Sequence, residues 1–364
     1  MHFTPRFIAA GLSIGFALAG ATPAAGQDSP EKILLKDYRP KSLYKIPVTS
    51  VPKAKFPVID MHSHAYAKTD EQIAQWVKTM DEAGIEKTVI LTGAVGPQFD
   101  AIYQRYAKYA DRFELWCGFD YAALDGSSAG AVKELERCYR AGARGVGEIS
   151  DKGKGLAFRR TKKPGLHSDD ARMDPLFQKC AELGMPVNIH VADPIWMYEK
   201  MDHTNDGLMN AYEWRLDNQP DIVGHSGMID ILERTVQRHP RTTFIACHFA
   251  NLCYDLTRLG RLLDENPNLH ADISARYAET ATIPRFVAQF YSKYAGRLLY
   301  GTDMGFNPGM YRITFRVLET LDEHFYEHEQ FGYHWAMNGF GLPDQVLKKV
   351  YRDNAVKILK AGSK

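Results

Sequence analysis

Two histidines close a short apolar run at Val58-Ile59-Asp60-Met61-His62-Ser63-His64. In a strand, side chains alternate faces. His62 and His64 therefore point the same way, about 7 Å apart, with Asp60 on their side and Ile59 and Met61 on the other. Two imidazoles at one strand end suit a borderline divalent cation such as zinc; the bland counterpart is a pair of surface histidines beside a turn. Four further runs carry polar groups of the same chemistry: Gly145-Val146-Gly147-Glu148-Ile149-Ser150, Val187-Asn188-Ile189-His190-Val191, Phe244-Ile245-Ala246-Cys247-His248-Phe249 and Leu298-Leu299-Tyr300-Gly301-Thr302-Asp303. A single histidine in an apolar strand is ordinarily a satisfied core residue. Three histidine-bearing strands and two acid-ended ones together would bury charge at a high cost, which a shared divalent cation removes.

The elements that must position these groups alternate regularly. Strand-like runs fall at 58–64, 87–92, 113–119, 144–149, 186–192, 243–249, 269–275 and 298–303. Amphipathic stretches fall between and after them at 69–84, 98–111, 127–142, 174–184, 227–239, 253–265, 283–295, 309–322 and 342–360. Eight strand–helix pairs predict an α/β fold with a parallel sheet, a (β/α)8 TIM barrel, over a doubly wound open sheet. No Gly-rich dinucleotide or phosphate loop follows any strand. The connections after strands four and five, 151–173 and 193–227, are far longer than the rest. Loops after strands occupy the face of a barrel that carries chemistry, and loops this long are usually functional. The second holds Trp196, Met197, Tyr198, Met201, His203, Tyr212 and Trp214, which suits a lid or an apolar substrate wall with Trp196 and Tyr198 as substrate contacts. An oligomer contact would use the same residue types.

The 364-residue chain opens with Arg6, an apolar Ala/Gly-rich run from Phe7 to Ala21, and Thr22-Pro23-Ala24-Ala25-Gly26-Gln27. That order reads as a signal peptide over 1–26, with an uncleaved anchor as the alternative, and implies a periplasmic or secreted protein with no membrane attachment after cleavage. Residues 27–55, Lys- and Pro-rich, read as an extended arm, and 56–364 as the barrel domain. One of the 45 basic residues, Arg6, leaves with the leader, so the mature chain balances its 44 acidic residues. A neutral chain argues against nucleic acid as a main partner, since phosphate binding needs a basic surplus. The five cysteines, Cys117, Cys138, Cys180, Cys247 and Cys253, are odd in number and mostly lie in apolar patterns, so they read as buried thiols and not as a disulfide framework.

The ordered motifs VIDMHSH (58–64), GVGEIS (145–150), VNIHVAD (187–193), IACHFAN (245–251), NLHADISAR (268–276) and YGTDMG (300–305) resemble the metal-dependent amidohydrolase superfamily over nearly the whole mature chain. The closing segment GLPDQVLKKVYRDNAVKIL (341–359) resembles the amidohydrolase-related branch, which includes aminocarboxymuconate-semialdehyde decarboxylase beside hydrolases of unknown substrate. The resemblance implies His62, His64, His190 and Asp303 as ligands, and His248 as a catalytic histidine or the ligand of a second metal. Urease-like members carry a carbamylated lysine at the end of strand four. Glu148 stands there instead, as in TatD-type nucleases where it bridges two metals, so one and two metals both stay open; the expectation is one zinc, with Glu148 as a ligand or a partner to one. Water activated by such a metal is a usable nucleophile. Asp303 would take its proton and His248 would polarise the carbonyl. Hydrolysis of an amide, lactone or ester of a small molecule follows as the expected activity. The alternative is zinc-dependent, non-oxidative decarboxylation of a small carboxylic acid, and a third class is a metal-binding scaffold without turnover. Relatives are often homodimers.

Strand seven ends in Asp272-Ile273-Ser274-Ala275-Arg276-Tyr277. An inward Asp272 places Arg276 at the barrel mouth, where it would either hold a substrate carboxylate in a bidentate pair or tie down a neighbouring loop. Lys152, Lys154, Arg159, Arg160, Lys162 and Lys163 cluster in the first long loop, as a solvated face or a substrate attractor. His324 and His328 have helical i, i+4 spacing, but acidic neighbours mark an exposed face more than a metal site.

Overall fold

A computed structural model describes residues 29–124, 128–156, 158, 165–208, 210 and 212–361. The expected leader, 1–26, and the basic residues Arg159, Arg160, Lys162 and Lys163 lie outside the described residues. Residues 29–38 belong to a separate small unit. Its described part contains two short 3-10 turns, Pro30–Lys32 and Leu35–Asp37, with no buried side chain.

Strands and helices alternate through the main unit: β1 Val58–Ser63, α1 Asp70–Ala83, β2 Ile85–Leu91, α2 Gly96–Tyr106, β3 Phe113–Trp116, α3 Ala129–Arg140, β4 Val146–Asp151 and α4 Asp174–Leu183. The second half continues with β5 Val187–Val191, α5 His225–Arg238, β6 Phe244–Ala246, α6 Leu256–Glu265, β7 Leu269–Asp272, α7 Pro284–Tyr294, β8 Leu298–Leu299 and α8 Pro308–Glu319. All pairings are parallel, in the orders β1-β2-β3 and β4-β5-β6-β7-β8. Backbone hydrogen bonds span both gaps between these sheets. The Cys117 amide donates to Gly145 O at 3.0 Å and the Gly147 amide to Cys117 O at 2.8 Å; on the other side Met61 N–H reaches Tyr300 O at 2.9 Å. The architecture is a (β/α)8 barrel.

The helices form because their apolar positions recur at helical spacing and their ends are capped. In α1, Ile73, Trp76, Met80 and Ala83 are buried, Thr69 caps the first turn by accepting from the Gln72 amide, and Gly84 takes the left-handed conformation (φ 83°) that ends it. Inside the barrel, Ile59, Met61, Val89, Leu91, Trp116, Ile245 and Leu299 form one cluster with Ala355 and Ile358. The last two come from the C-terminal helix, Asn354–Ala361, which follows Asp344–Lys348 through a π turn at Lys349–Asp353.

Strict alternation in β1 would put Ile59 and Met61 opposite His62. They line the barrel interior instead, and the register of β1 against β2 shifts between Asp60 and Ser63. That irregularity resets the alternation and turns His62 and His64 inward as well. Asp60, expected beside the histidines, points its carboxylate at β8: Oδ2 accepts from Thr302 Oγ1 at 2.7 Å, and Oδ1 from the Thr302 and His62 amides at 3.1 Å each. The run around His324 and His328 is not helical. His324 Nδ1 pairs with Ser42 Oγ at 3.2 Å, and His328 contacts Tyr333 O and Pro40 O. Residues 39–55 run extended here, held by the Thr49 amide on Asp322 and the Lys55 amide on Glu319. All five cysteines are free, and all but Cys253 are buried. Among the described residues no helix is long and apolar enough to cross a membrane.

Candidate metal centre

The strand ends bring His62, His64, Glu148, His190, His248 and Asp303 together. His64 Nε2 lies 3.1 Å from Asp303 Oδ1 and 3.5 Å from Glu148 Oε2, while His62 Nε2 is 3.6 Å from Asp303 Oδ1. His190 Nδ1 contacts Glu148 Oε1, and His248 Nε2 lies 3.6 Å from the same oxygen and 4.0 Å from Asp303 Oδ2. Ligand atoms of His62, His64 and Asp303 form one compact set, and those of Glu148, His190, Cys247 and His248 a second that shares the Glu148 edge.

Each ring is anchored on its outer nitrogen, which fixes the nitrogen facing the centre. His62 Nδ1 pairs with Asp272 Oδ2 at 2.9 Å, His64 Nδ1 with Leu91 O at 2.8 Å, and His248 Nδ1 with Ser274 Oγ at 2.8 Å. His190 is turned the other way: Nε2 pairs with Asp193 Oδ1 at 3.0 Å, leaving Nδ1 inward. Asp272 is fixed in turn, accepting from Asn188 Nδ2 at 3.0 Å and from Ser274 Oγ at 2.5 Å. Asp193, Asp272 and Ser274 are thus positioning residues that the histidine pattern alone did not reveal. All three stand in the same motifs, Asp193 three residues after His190, and Asp272 and Ser274 four and two before Arg276.

The electrostatics ask for positive charge. Burial opposes ionisation throughout. Even so, Asp272, Asp303 and Glu148 raise His62 to about 10, and Asp303 and Glu148 raise His64. Against burial, the His64 hydrogen bond and the His62 charge hold Asp303 at about 2, and His190 holds Glu148 well below the usual carboxylate range. Burial, with His190 adding to it, lowers His248 to about 4. Protons on His62 and His64 therefore stand where cationic charge is wanted. His62 Nε2 is fully buried and has no hydrogen-bond partner. A buried imidazole nitrogen 3.6 Å from the Asp303 carboxylate, with the His64 imidazole in the same compact set, fits a divalent cation in nitrogen–oxygen coordination.

The sequence model of the amidohydrolase family matches residues 53–361. The chain belongs to the amidohydrolase family. No curated protein matches it significantly. Solved structures similar in fold include an uncharacterised TIM-barrel protein from Bordetella bronchiseptica, 15% identical with a TM-score of 0.52, covering 85% of this chain and all of that one. The 2,6-dihydroxybenzoate decarboxylase from Rhizobium is 17% identical with a TM-score of 0.52 over 84% of this chain and 99% of its own. A dihydroxybenzoic acid decarboxylase from Polaromonas, solved with manganese and 2-nitroresorcinol, is 16% identical with a TM-score of 0.52 over 84% and 97%. At such identities the likeness is one of fold.

In this amidohydrolase a cavity of about 520 Å³ opens from His190, His248 and Asp303 towards solvent. Both long loops line it, the first with Lys152, Lys154 and Phe158, the second with Met197, Trp214 and Leu216. A third wall comes from Phe331 and Tyr333, in the irregular segment between α8 and the C-terminal helices, where the sequence showed no periodic pattern. Arg276 lines the cavity and also holds a loop: Nε and Nη2 donate to Asn251 Oδ1 at 3.1 and 2.6 Å, and Nη1 donates to Ala275 O at 2.7 Å. Trp196 is not among the lining residues; it is buried, and a side chain on Gly207 would collide with its ring. Tyr198 is not among them either. Its hydroxyl donates to Lys152 O at 3.0 Å, and its ring meets His225.

Proposed function

We propose that this amidohydrolase is a divalent-metal-dependent, non-oxidative decarboxylase of small aromatic or enoic carboxylic acids. The observation that carries the reading is the cavity. Phe158, Trp214, Phe331 and Tyr333 give it flat apolar walls, Lys152, Lys154 and Arg276 give it cationic groups, and His248 and Asp303 stand at its inner end. A planar anion suits those walls and charges. Two of the fold-similar structures are decarboxylases of hydroxylated benzoic acids, which favours this reaction over the hydrolysis of an amide, lactone or ester.

His62, His64, His190 and Asp303 would hold the cation, with Glu148 as a further ligand or a partner to one. When bound, the cation supplies positive charge that stabilises the electron pair left behind. The remaining work falls to the chain. The aromatic walls exclude water and orient the ring, and the cationic side chains take the carboxylate. The carbon–carboxylate bond breaks, carbon dioxide leaves, and the electron pair stays on the carbon. That carbon takes one proton, which enters from solvent and is relayed through Asp303 or His248 at the cavity's inner end, both of them deprotonated beforehand. Zinc is the metal proposed, since imidazole-rich donor sets favour it over manganese. A homodimer and export behind the 1–26 leader belong to the same proposal, and gel filtration and N-terminal sequencing of the mature protein test them.

The deciding experiment incubates metal-loaded protein with hydroxybenzoates and enoic acids, following carbon dioxide, and in parallel with aryl esters and lactones. Release of carbon dioxide that disappears in the His62→Ala/His64→Ala variant supports the proposal. Turnover of esters or lactones with no carbon dioxide from any acid returns the reaction to hydrolysis. Metal content measured on the same samples separates zinc from manganese.

A further inference from the structure

The two long loops meet in a seam at the cavity, and a lysine lies in it. Lys152, directly after β4, donates from Nζ to Asp193 Oδ2 at 2.6 Å. The other oxygen, Oδ1, pairs with His190 Nε2 at 3.0 Å. One buried carboxylate thus serves both an ammonium at the cavity wall and an imidazole of the metal centre.

The main chain at Lys152 is held from several directions. Tyr198 of the second loop donates to its carbonyl at 3.0 Å, and the Val223 amide donates to Gly153 O at 3.0 Å. The buried Asp151 carboxylate accepts from the Gly153 and Gly155 amides at 2.9 and 2.8 Å and pairs with His167 Nδ1 at 2.6 Å. Little freedom is left for Lys152 to lose when a ligand arrives. Its side chain keeps 37% exposure on the cavity side. An ammonium has three N–H donors, and Asp193 takes one. Lys154 also lines the cavity, its Nζ 5.9 Å over the Phe158 ring. The third cation, Arg276, is more fully committed: three of its donors are spent on Asn251 and Ala275, and Glu279 stands at 4.0 Å. Lys152 shares its counter-charge with His190, so its charge is less balanced than that of Arg276.

We propose that Lys152 selects anionic substrates in this cavity, its two remaining N–H donors taking a carboxylate oxygen, and that Asp193 is a positioning residue linking it to His190. This rests on reading the cavity as the substrate site, but not on which reaction occurs there. The full-length, metal-loaded protein is titrated calorimetrically with benzoate and with benzamide, which match in shape and differ in charge. Wild type is expected to prefer benzoate at least tenfold. Lys152→Met reduces that preference to under twofold, and Lys152→Arg keeps most of it. Retention of the tenfold preference in Lys152→Met overturns the assignment, and its loss in Arg276→Met alone moves the role to Arg276. A wild type that binds neither probe, or both equally, overturns it too. Carbon dioxide release does not enter the titration, so failure of the decarboxylase reading shows separately. For Asp193, chelator competition reads metal affinity. Asp193→Asn is expected to lower it ten- to a hundredfold, with His190→Ala as the reference for full loss. An unchanged affinity in Asp193→Asn beside a weakened His190→Ala removes the link.

Discussion

Asp60 offers the sharpest test of how the barrel holds its metal centre. It is fully buried and its carboxylate spans the seam between β1 and β8, accepting from the His62 amide, the Thr302 amide and the Thr302 hydroxyl. Asp60→Ala does not strand all three donors. The Thr302 amide keeps a 3.3 Å contact with His62 O, and the Thr302 hydroxyl keeps Met304 O at 3.2 Å. The His62 amide is left alone. One stranded buried donor costs roughly 1–3 kcal/mol, and the small void adds to it, so the expected loss is about 2–4 kcal/mol. Asp60→Asn keeps Oδ1 on both amides, and its new amide group can donate to the Thr302 hydroxyl, which donates onward to Met304 O. That variant should fall within about 1 kcal/mol of wild type. The assay is urea unfolding of metal-stripped protein, where a shifted midpoint at constant slope reports stability. Because Asp60 holds residues next to His62 and Asp303, Asp60→Ala should also weaken metal binding in chelator competition. An Asp60→Ala midpoint near wild type, or an Asp60→Asn as damaging as Asp60→Ala, would refute the reasoning.

Three other expectations bear on separate parts of the molecule. A side chain at Gly301 would stand 2.8 Å from His62 Cβ and 3.2 Å from Ser274 Cβ, so Gly301→Ala should cost about 1–3 kcal/mol by overpacking and lower metal affinity. Gly296→Ala, with open space around it, serves as the control. His225 is buried and its pKa is lowered from 6.5 to about 4 by that burial. The unfolded chain therefore binds the extra proton first, and stability falls on acidification between those values by about 3 kcal/mol; His225→Asn should flatten that part of the stability–pH profile, and an unchanged slope rejects the cause. Metal removal should speed hydrogen exchange at the Met61 and Asp303 amides, which bond across the β8–β1 seam, more than at the Val187 amide within the five-stranded sheet. Equal acceleration at all three would contradict that view.

Much of this was legible because apolar strand runs and amphipathic helices leave strong periodic signals. Helices and strand starts fall close to their expected bounds, but the strands expected to end at 119, 249, 275 and 303 stop three or four residues earlier. The runs expected at 243–249 and 298–303 pair only at Phe244–Ala246 and Leu298–Leu299. Beyond those points the backbone leaves the extended region, with His248 at φ 9° and Asp303 at φ 61°. Alternation therefore could not say where these side chains point, and it wrongly opposed Met61 to His62. The histidines themselves were readable because a charged group in an apolar run is costly without a partner. Their anchors were not: Asp193 and Asp272 look like any acid at a strand end until the fold puts a ring nitrogen beside them. The third cavity wall escaped for a related reason. Phe331 and Tyr333 sit in an irregular segment whose position depends on contacts such as Tyr333 Oη to Ala275 O, which no periodicity encodes.

The division of the barrel into two hydrogen-bonded sheets gives the centre a second role. His62 and His64 lie in or just after β1 of the three-stranded sheet, whereas Glu148 and His190 lie within β4 and β5, and His248 and Asp303 just beyond β6 and β8, of the five-stranded one. A cation held by both sets would therefore tie the sheets together at the end of the barrel where β8 pairs only over Leu298–Leu299 and the seam depends on a few backbone bonds and Asp60. Binding energy supplied there counts towards folding, because the unfolded chain has no such site. The loops stand outside this arrangement. Lys152, Trp214 and Phe331 line the cavity without contributing to either seam, so substitutions that reshape the cavity need not loosen the metal. A barrel built this way can keep its metal centre while its long loops change the substrate, with Asp193 linking the two layers through His190 on one side and Lys152 on the other.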